Sequence, residues 1–262
     1  MNRRSGCEVR GAPFVSVVVP CHGRPSLTRR LLRSLCSCHG RFEVILVDDA
    51  SPLPVSELAA PFASRLDLTV VRHPTRRGPA AARNAGVARA RSDLIAFTDN
   101  DCEVAPDWVE QLGVYLRDAP RRVAAVGGRV LDASGGLYGR YFTYHKILDP
   151  FPYHGRYLYV VTANCIVRRQ AFQAVGGFDE RIRHPGGEDP GLCFKLLDAG
   201  WELHYRPEAI VRHHYRLGLW EFARTFFRYG RGCRRQTEAF ASSLGEPTAP
   251  PIAFGGMLLR GQ

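Results

Sequence analysis

Lysine is nearly missing from this sequence. Only Lys146 and Lys195 stand among the 36 basic residues, so 36 − 2 leaves 34 arginines in a chain of 262 residues. With 25 acids, the net charge is +11. An arginine bias of this size has two sources: genome composition, or anionic partners such as nucleotide diphosphates, acidic membrane or nucleic acid. No apolar run approaches the ~20 residues of a membrane-spanning helix. No apolar stretch follows the N-terminal arginines in the manner of a secretory signal, so a cytoplasmic location is the expectation. Zinc-site cysteine spacing is also missing. The cysteines (7, 21, 36, 38, 102, 165, 193 and 233) are scattered through apolar contexts, and "CSCH" (Cys36 to His39) has no second ligand pair. Buried free thiols, and hence a reducing compartment, are expected. There is no internal repeat, and no glycine-rich dinucleotide fingerprint follows the first strand. The apolar share of 45% excludes disorder.

What is present is an alternation of strand and helix signals. "FVSVVVP" (Phe14 to Pro20) is a β-branched run suited to a strand buried on both faces. "PSLTRRLLRSLCS" follows as an amphipathic helix with Leu27, Leu31 and Leu35 on one side. "FEVILVDDAS", "LDLTVVRH", "DLIAFTD" and "RVAAVGGRVL" read as further strands. Helices are expected near Val55 to Ser64, over "GPAAARNAGVARAR" and over "PDWVEQLGVYLRDA". Strands joined by helix-length crossovers predict an α/β fold with a mostly parallel central sheet flanked by helices. Ligands gather beyond the carboxyl ends of such strands. The sharpest polar residues fall there: Pro20 to Arg24, Asp48 with Asp49, and Asp99 to Asp101.

From Leu131 to Tyr157 the pattern loosens into glycine, proline and aromatics, which suggests an ordered substrate wall or partner surface. Tyr141, Tyr144, Phe151 and Tyr153 are placed at the acceptor on that basis. Order returns with "YLYVVTANCIVRRQAFQAVGGFDE", the helix-like "EDPGLCFKLLDAG" and "WELHYRPEAIVRHH". A basic amphipathic helix over 217–235 closes the series. It has Leu219, Phe222, Phe226 and Tyr229 on one face and Arg224, Arg228, Arg231 and Arg235 on the other. It has three readings: docking on the domain, lying in a membrane interface beside a lipid-linked acceptor, or binding nucleic acid. No recognised motif accompanies the last.

Asp99 and Asp101, at i and i+2 past a strand end, can converge on one hard cation whose shell a diphosphate completes. By itself the pair reads more readily as a solvated turn, with Asp101 or Asp107 capping a helix. The neighbouring strand-end acids favour the first reading.

The ordered set "VSVVVPCHGRP", "VILVDDAS", "RRGPAAARNAGVARARSDLIAFTDND", "VGGFDE" and "GEDPGLCFKLLDAGW" is similar to the family 2 glycosyltransferases of the GT-A fold. The resemblance spans roughly Phe14 to His214. It implies metal-dependent, inverting transfer of a sugar from a nucleoside diphosphate-sugar to an acceptor hydroxyl, with Mg²⁺ or Mn²⁺ as cofactor. By the same resemblance, Pro20, His22 and Arg24 with Asp49 (or Asp48) hold the nucleoside, and Arg83 and Asn84 face the nucleotide. Asp99 and Asn100 approach the ribose side, while Asp99, Asp101 and His213 are the metal candidates, with Asp101 favoured for direct contact. His213 is chosen over His214. Asp189 is the implied base and Glu188 its neighbour. The implied organisation is an extension (1–13), a transferase domain (14–215, with a nucleotide half to 131 and an acceptor half from 132), and a C-terminal helix and tail (216–262). Two departures stand out. Gly191 occupies a position where the family pattern carries a further acid, and Gly23 one where it often has Asn. The rival readings are a sugar nucleotidyltransferase, which "PCHGRP" lacks the glycine-rich loop to support, and a non-catalytic nucleotide-binding partner protein.

Overall fold

The computed structural model describes residues 14–150, 152–215 and 218–239, apart from the side chains of 153, 233, 237 and 238. The expected extension 1–13, Phe151, the side chains of Tyr153 and Cys233, the first residue of the 217–235 helix and the tail beyond 239 lie outside this description.

The first half follows the predicted alternation. In chain order it runs β1 (Val15–Cys21), α1 (Pro25–Leu35), β2 (Phe42–Asp48), α2 (Val55–Ala59) and β3 (Leu68–Arg72). It continues through α3 (Pro79–Arg89), β4 (Leu94–Thr98), β5 (Cys102–Val104), α4 (Trp108–Asp118) and β6 (Val123–Asp132). Val15, Val17 and Val19 of β1 enter one core layer and Val18 enters the other, so the strand is apolar on both faces because both faces are covered. Proline opens α1 and α3, where its missing N–H has no helical acceptor to lose. Gly86 lets α3 lie close on β1, for a Cβ there would sit 2.3 Å from Val18 Cγ1.

The second half holds α5 (Leu137–Tyr144), the short hairpin β7 (Pro152–Tyr153) and β8 (Arg156–Tyr157), and β9 (Asn164–Arg168). Then come α6 (Arg169–Ala174), α7 (Glu188–Asp198), β10 (Glu202–His213) and α8 (Leu219–Ala239). The main sheet has the order β3-β2-β1-β4-β9-β6-β10-β5. Six of its strands run one way. The two exceptions are β9, antiparallel between β4 and β6, and β5, antiparallel to β10. The sheet is therefore mixed, with its parallel part where the sequence alternates strand and helix. The buried Trp108 indole N–H donates to Asn164 Oδ1 at 2.7 Å, tying α4 to β9.

Docking is the arrangement that α8 adopts. Phe222, Phe226 and Tyr229 pack on the main core, and Phe222 and Phe226 meet Tyr141 and Phe142 of α5. The expected faces need two corrections: Leu219 is 62% exposed, and Arg228 turns inward to line the central cleft. The physical cause is Gly232, one turn after Arg228, where a Cβ would lie 2.4 Å from Gly186 O. That close backbone approach sets the helix's rotation. Arg224, Arg231 and Arg235 do face outward, beside the exposed Trp220 and Phe227. No helix among the described residues is long and apolar enough to cross a membrane. The described cysteines are all free thiols, four of them buried.

Candidate active site at the carboxyl edge of the sheet

A cleft of about 630 Å³ opens beyond the carboxyl ends of β1, β2 and β4. It collects residues far apart in the chain: Pro20, His22, Arg24, Asp49, Arg83, Asp99, Asn100, Asp101, Glu188, Asp189 and His213 all line it. Asp48 and Asn84 do not. Asp48, the last residue of β2, is buried, accepting from Ser51 N–H (2.8 Å), Val55 N–H (3.1 Å) and the Arg72 guanidinium. Against the opposing effect of burial, these bonds hold its carboxyl below the usual range. Asn84 brackets the turn at Phe178, donating to Phe178 O at 2.9 Å and accepting from Phe178 N–H at 3.0 Å. Its amide is thus spent on the "VGGFDE" turn rather than turned to the nucleotide.

Asp49 shapes the wall of the cleft. Its Oδ1 accepts from Arg77 N–H and contacts His73 Nδ1, each at 2.8 Å, and its Oδ2 accepts from Gly78 N–H at 2.8 Å. One lone pair on Oδ2 has no partner among these bonds. His22 donates from Nδ1 to Asp49 O at 2.8 Å, which holds the β1 and β2 ends together. Arg24 sits at φ 55, a strained conformation for a side-chain-bearing residue, and caps α1 while its guanidinium meets Asp101. Asn100 donates to Gly23 O (3.2 Å) and Thr28 Oγ1 (3.1 Å), so it tethers the loop that carries both aspartates.

Asp99 and Asp101 diverge. Asp99, 27% exposed in its side chain, accepts from Arg83 at 2.7 Å. Asp101 instead approaches His213, whose Nε2 lies 3.4 Å from Asp101 Oδ1. Among the described residues, the one group of side chains spaced to share a metal ion is Asp101, Cys102 and His213, without Asp99. Asp99, expected beside the metal, has its carboxylate turned to Arg83 in this arrangement. The reason is the chain reversal at Asp99–Asp101, after which β5 pairs with β10 and sets Cys102 opposite His213. His214 also lines the cleft and its backbone N–H donates to Asp101 O at 2.8 Å, but its Nε2 is engaged by Glu103 at 2.5 Å. Burial pulls His213 down to about 4, so its imidazole is neutral at physiological pH. Burial also pushes the Cys102 thiol up, leaving it protonated.

The second acid pair opens α7 after Gly187, which has φ 103. Glu188 is buried, accepting from Gly186 N–H (2.6 Å) and Arg83 (3.3 Å). Asp189 accepts from Thr162 Oγ–H at 2.8 Å and Thr162 N–H at 3.1 Å, while remaining partly open to the cleft. Burial first, and the neighbouring Glu188 second, push its carboxyl up to about 7. Arg83 spans the pairs. Although burial works against it, Asp99, Asp189 and Glu188 hold its guanidinium above its ordinary value.

Several lining residues escaped the sequence reading. Thr162 carries no motif of its own, and only its β-branched setting in "VVTANC" hinted at a strand end. Tyr159, Tyr215 and Tyr229 form the aromatic lining, whereas Tyr141 packs beneath α8 and neither it nor Tyr144 reaches the cleft.

Residues 16–176 match the family described as Glycosyl transferase family 2. The chain belongs to that family. A further match, to a family described as the N-terminal domain of galactosyltransferase, covers residues 143–217. As a family 2 glycosyltransferase, the chain is 36% identical over 254 residues to the pre-mycofactocin glycosyltransferase of Mycobacterium tuberculosis, covering 94% of this chain and 51% of that protein. It is 32% identical over 233 residues to the O-antigen biosynthesis protein RfbC of Myxococcus xanthus, covering 79% of this chain and 18% of the other. The chain thus spans about half the length, or less, of these curated relatives. Among solved structures, the mannosyltransferase PcManGT from Pyrobaculum calidifontis, in complex with GDP-Man and Mn²⁺, superposes with a TM-score of 0.61. Its identity is 19%, over 95% of this chain and 75% of that one. GalNAc-T7 with UDP, GalNAc and Mn²⁺ gives a TM-score of 0.63 at 22% identity, over 92% of this chain and 52% of the other. At these identities the likeness establishes the GT-A type of α/β fold.

Proposed function

We propose that the chain moves a sugar from a nucleoside diphosphate-sugar to an acceptor hydroxyl, with inversion at the anomeric carbon. The observation that carries this reading is the cleft that gathers Asp49, Asp99, Asp101 and His213 together with Asp189, a carboxylate at the start of a helix that is partly open to it and whose proton affinity burial and Glu188 raise. A base is most effective when its proton affinity matches the operating pH. Thr162 occupies one acceptor site on each Asp189 oxygen and leaves the others for a hydroxyl. As the acceptor oxygen bonds to the anomeric carbon, its proton passes to Asp189 and the bond to the diphosphate oxygen breaks. Attack opposite the leaving group inverts the centre. Glu188, fixed by Arg83 and Gly186, keeps Asp189 in place and strengthens its hold on a proton.

The donor side of the cleft has the complementary character. Asp99 is presented to ribose hydroxyls, and the free lone pair of Asp49 Oδ2 is available to an N–H of the base. Asp101 and His213 suit a divalent cation, Mg²⁺ or Mn²⁺. Their donor set is a carboxylate and an imidazole kept neutral by burial, and His213 Nδ1 is buried without a partner among the described residues. When bound, such a cation neutralises charge on the leaving diphosphate. The organisation into nucleotide and acceptor halves around residue 131 belongs to this same reading.

The test is Asp189→Asn, followed by release of nucleoside diphosphate from sugar donors with water or a hydroxyl acceptor. Turnover is expected to fall by about 10²–10⁴-fold with donor binding kept. Unchanged turnover removes Asp189 from the mechanism. In the unmodified chain, the rate is expected to rise with pH through about 7, because the carboxylate is the active form.

A further inference from the structure

The cations that the sequence singled out in the cleft are already matched by acids. Arg24 is engaged by Asp101, and the buried Arg83 by both Asp99 and Glu188. A diphosphate leaving group brings further negative charge into this space, so electrostatics call for a cation that the carboxylates have not neutralised. Arg76 lines the rim but is exposed there. Arg228 of α8 is different. It lines the cleft and is half-buried, and its Nε is buried with no hydrogen-bond partner among the described residues. Its guanidinium carbon lies 5.7 Å from the Tyr229 ring centroid, a contact that restrains the side chain without occupying its hydrogens.

Its position is fixed by backbone. Gly232 of α8 lies against Gly186 and Gly187, the hinge before Glu188 and Asp189, and a Cβ at Gly186 would sit 3.3 Å from Arg228 Cγ. Gln236, a turn further on, fills the space above Gly191, where a Cβ would meet its Oε1 at 2.9 Å. Arg228 therefore stands at the end of the cleft that holds the proposed base. In an in-line displacement the phosphate bonded to the sugar lies across the anomeric carbon from the base, and it is nearer to the base than the phosphate that carries the nucleoside.

We propose that Arg228 is a phosphoryl-binding residue which α8 contributes to the cleft, and that it takes the terminal phosphate of the nucleoside diphosphate. The inference rests on the transferase reading above. It makes α8 a part of the donor site rather than an appendage. A planar guanidinium suits phosphoryl oxygens because two of its N–H groups donate in parallel.

Calorimetric titration of the full chain with UDP, GDP and dTDP and with the matching monophosphates, with Mn²⁺ present, tests it. Arg228→Gln is expected to weaken the bound diphosphate by about 10- to 100-fold and leave its monophosphate unchanged. Arg228→Lys keeps the charge without the fork and is expected to weaken the diphosphate by less. Should Arg228→Gln fail to fold, the lysine variant carries the same comparison. Unchanged diphosphate affinity overturns the proposal, as does equal weakening of both nucleotides, which marks a purely structural role for the arginine. Unchanged diphosphate affinity with a raised acceptor KM assigns the oxyanion to the acceptor and overturns the donor source. If the unmodified chain binds none of the diphosphates, the transferase reading itself fails, a different result from the loss of Arg228's part in it.

Discussion

The two acid pairs of the cleft, Asp99 with Asp101 and Glu188 with Asp189, are built from the same chemistry and held in opposite ways. In the first pair each carboxylate meets a guanidinium, Asp99 through Arg83 and Asp101 through Arg24. In the second, Arg83 serves Glu188, and among the described residues Asp189 is hydrogen-bonded by the hydroxyl and amide of Thr162. A neighbouring cation favours the charged form of a carboxylate. One buried beside another acid gains affinity for a proton. Environment, and not residue type, divides the labour.

Arg83 is the link, so removing it should disturb both pairs at once. Arg83→Met leaves the buried Glu188 and the half-buried Asp99 without their guanidinium and is expected to lower stability by about 3–5 kcal/mol, read by denaturant unfolding. Because Arg83 also lowers the proton affinity of Asp189, the acid limb of the rate should move to higher pH in whatever folded protein remains. Stability equal to that of the parent chain would show that the pairs are independent.

A smaller effect separates the members of the first pair. Asp101→Asn should abolish most of the Mn²⁺-dependent part of diphosphate binding, about tenfold or more in affinity. Asp99→Asn should weaken binding with and without Mn²⁺ alike. Titrations at matched pH decide the matter, and equal metal dependence in both variants would place Asp99 beside the metal with Asp101.

The mildest change sharpens the second pair. Thr162→Val removes the Oγ–H bond that favours the ionised form of Asp189 and keeps the backbone N–H bond. The acid limb should shift upward from about 7 while the alkaline plateau stays the same. A downward shift, or none, would mean that Thr162 does not tune the base.

The parallel half of the sheet was legible from β-branched runs broken by helical periodicity, since one strand buried on both faces and one amphipathic helix each leave a local pattern. Proline and glycine at the starts of α1, α3 and α7 marked where those helices begin. Less could be read where a short element depends on a distant partner. Three-residue β5 has no period to detect, and β9 looks like any apolar run until it is seen antiparallel between β4 and β6. Asn84 and Asp48 sit in motifs beside cleft residues, yet their side chains are taken by Phe178 and by the Ser51–Val55 turn.

By itself, the sequence determined the order of strands and helices and the placement of acids at strand ends, because those follow from periodicity within a few residues. Tertiary structure alone decided which acids meet. The antiparallel pairing of β5 with β10 brings the imidazole of His213, rather than that of His214, to the Asp101 carboxylate, and burial gives Asp189 and His213 their opposite proton affinities. The contact of Gly232 with Gly186 and Gly187 turns Arg228 from the outer face of a helix into the cleft. Each of these depends on two segments approaching from far along the chain, where backbone clearance and lost solvent, not local pattern, set the outcome.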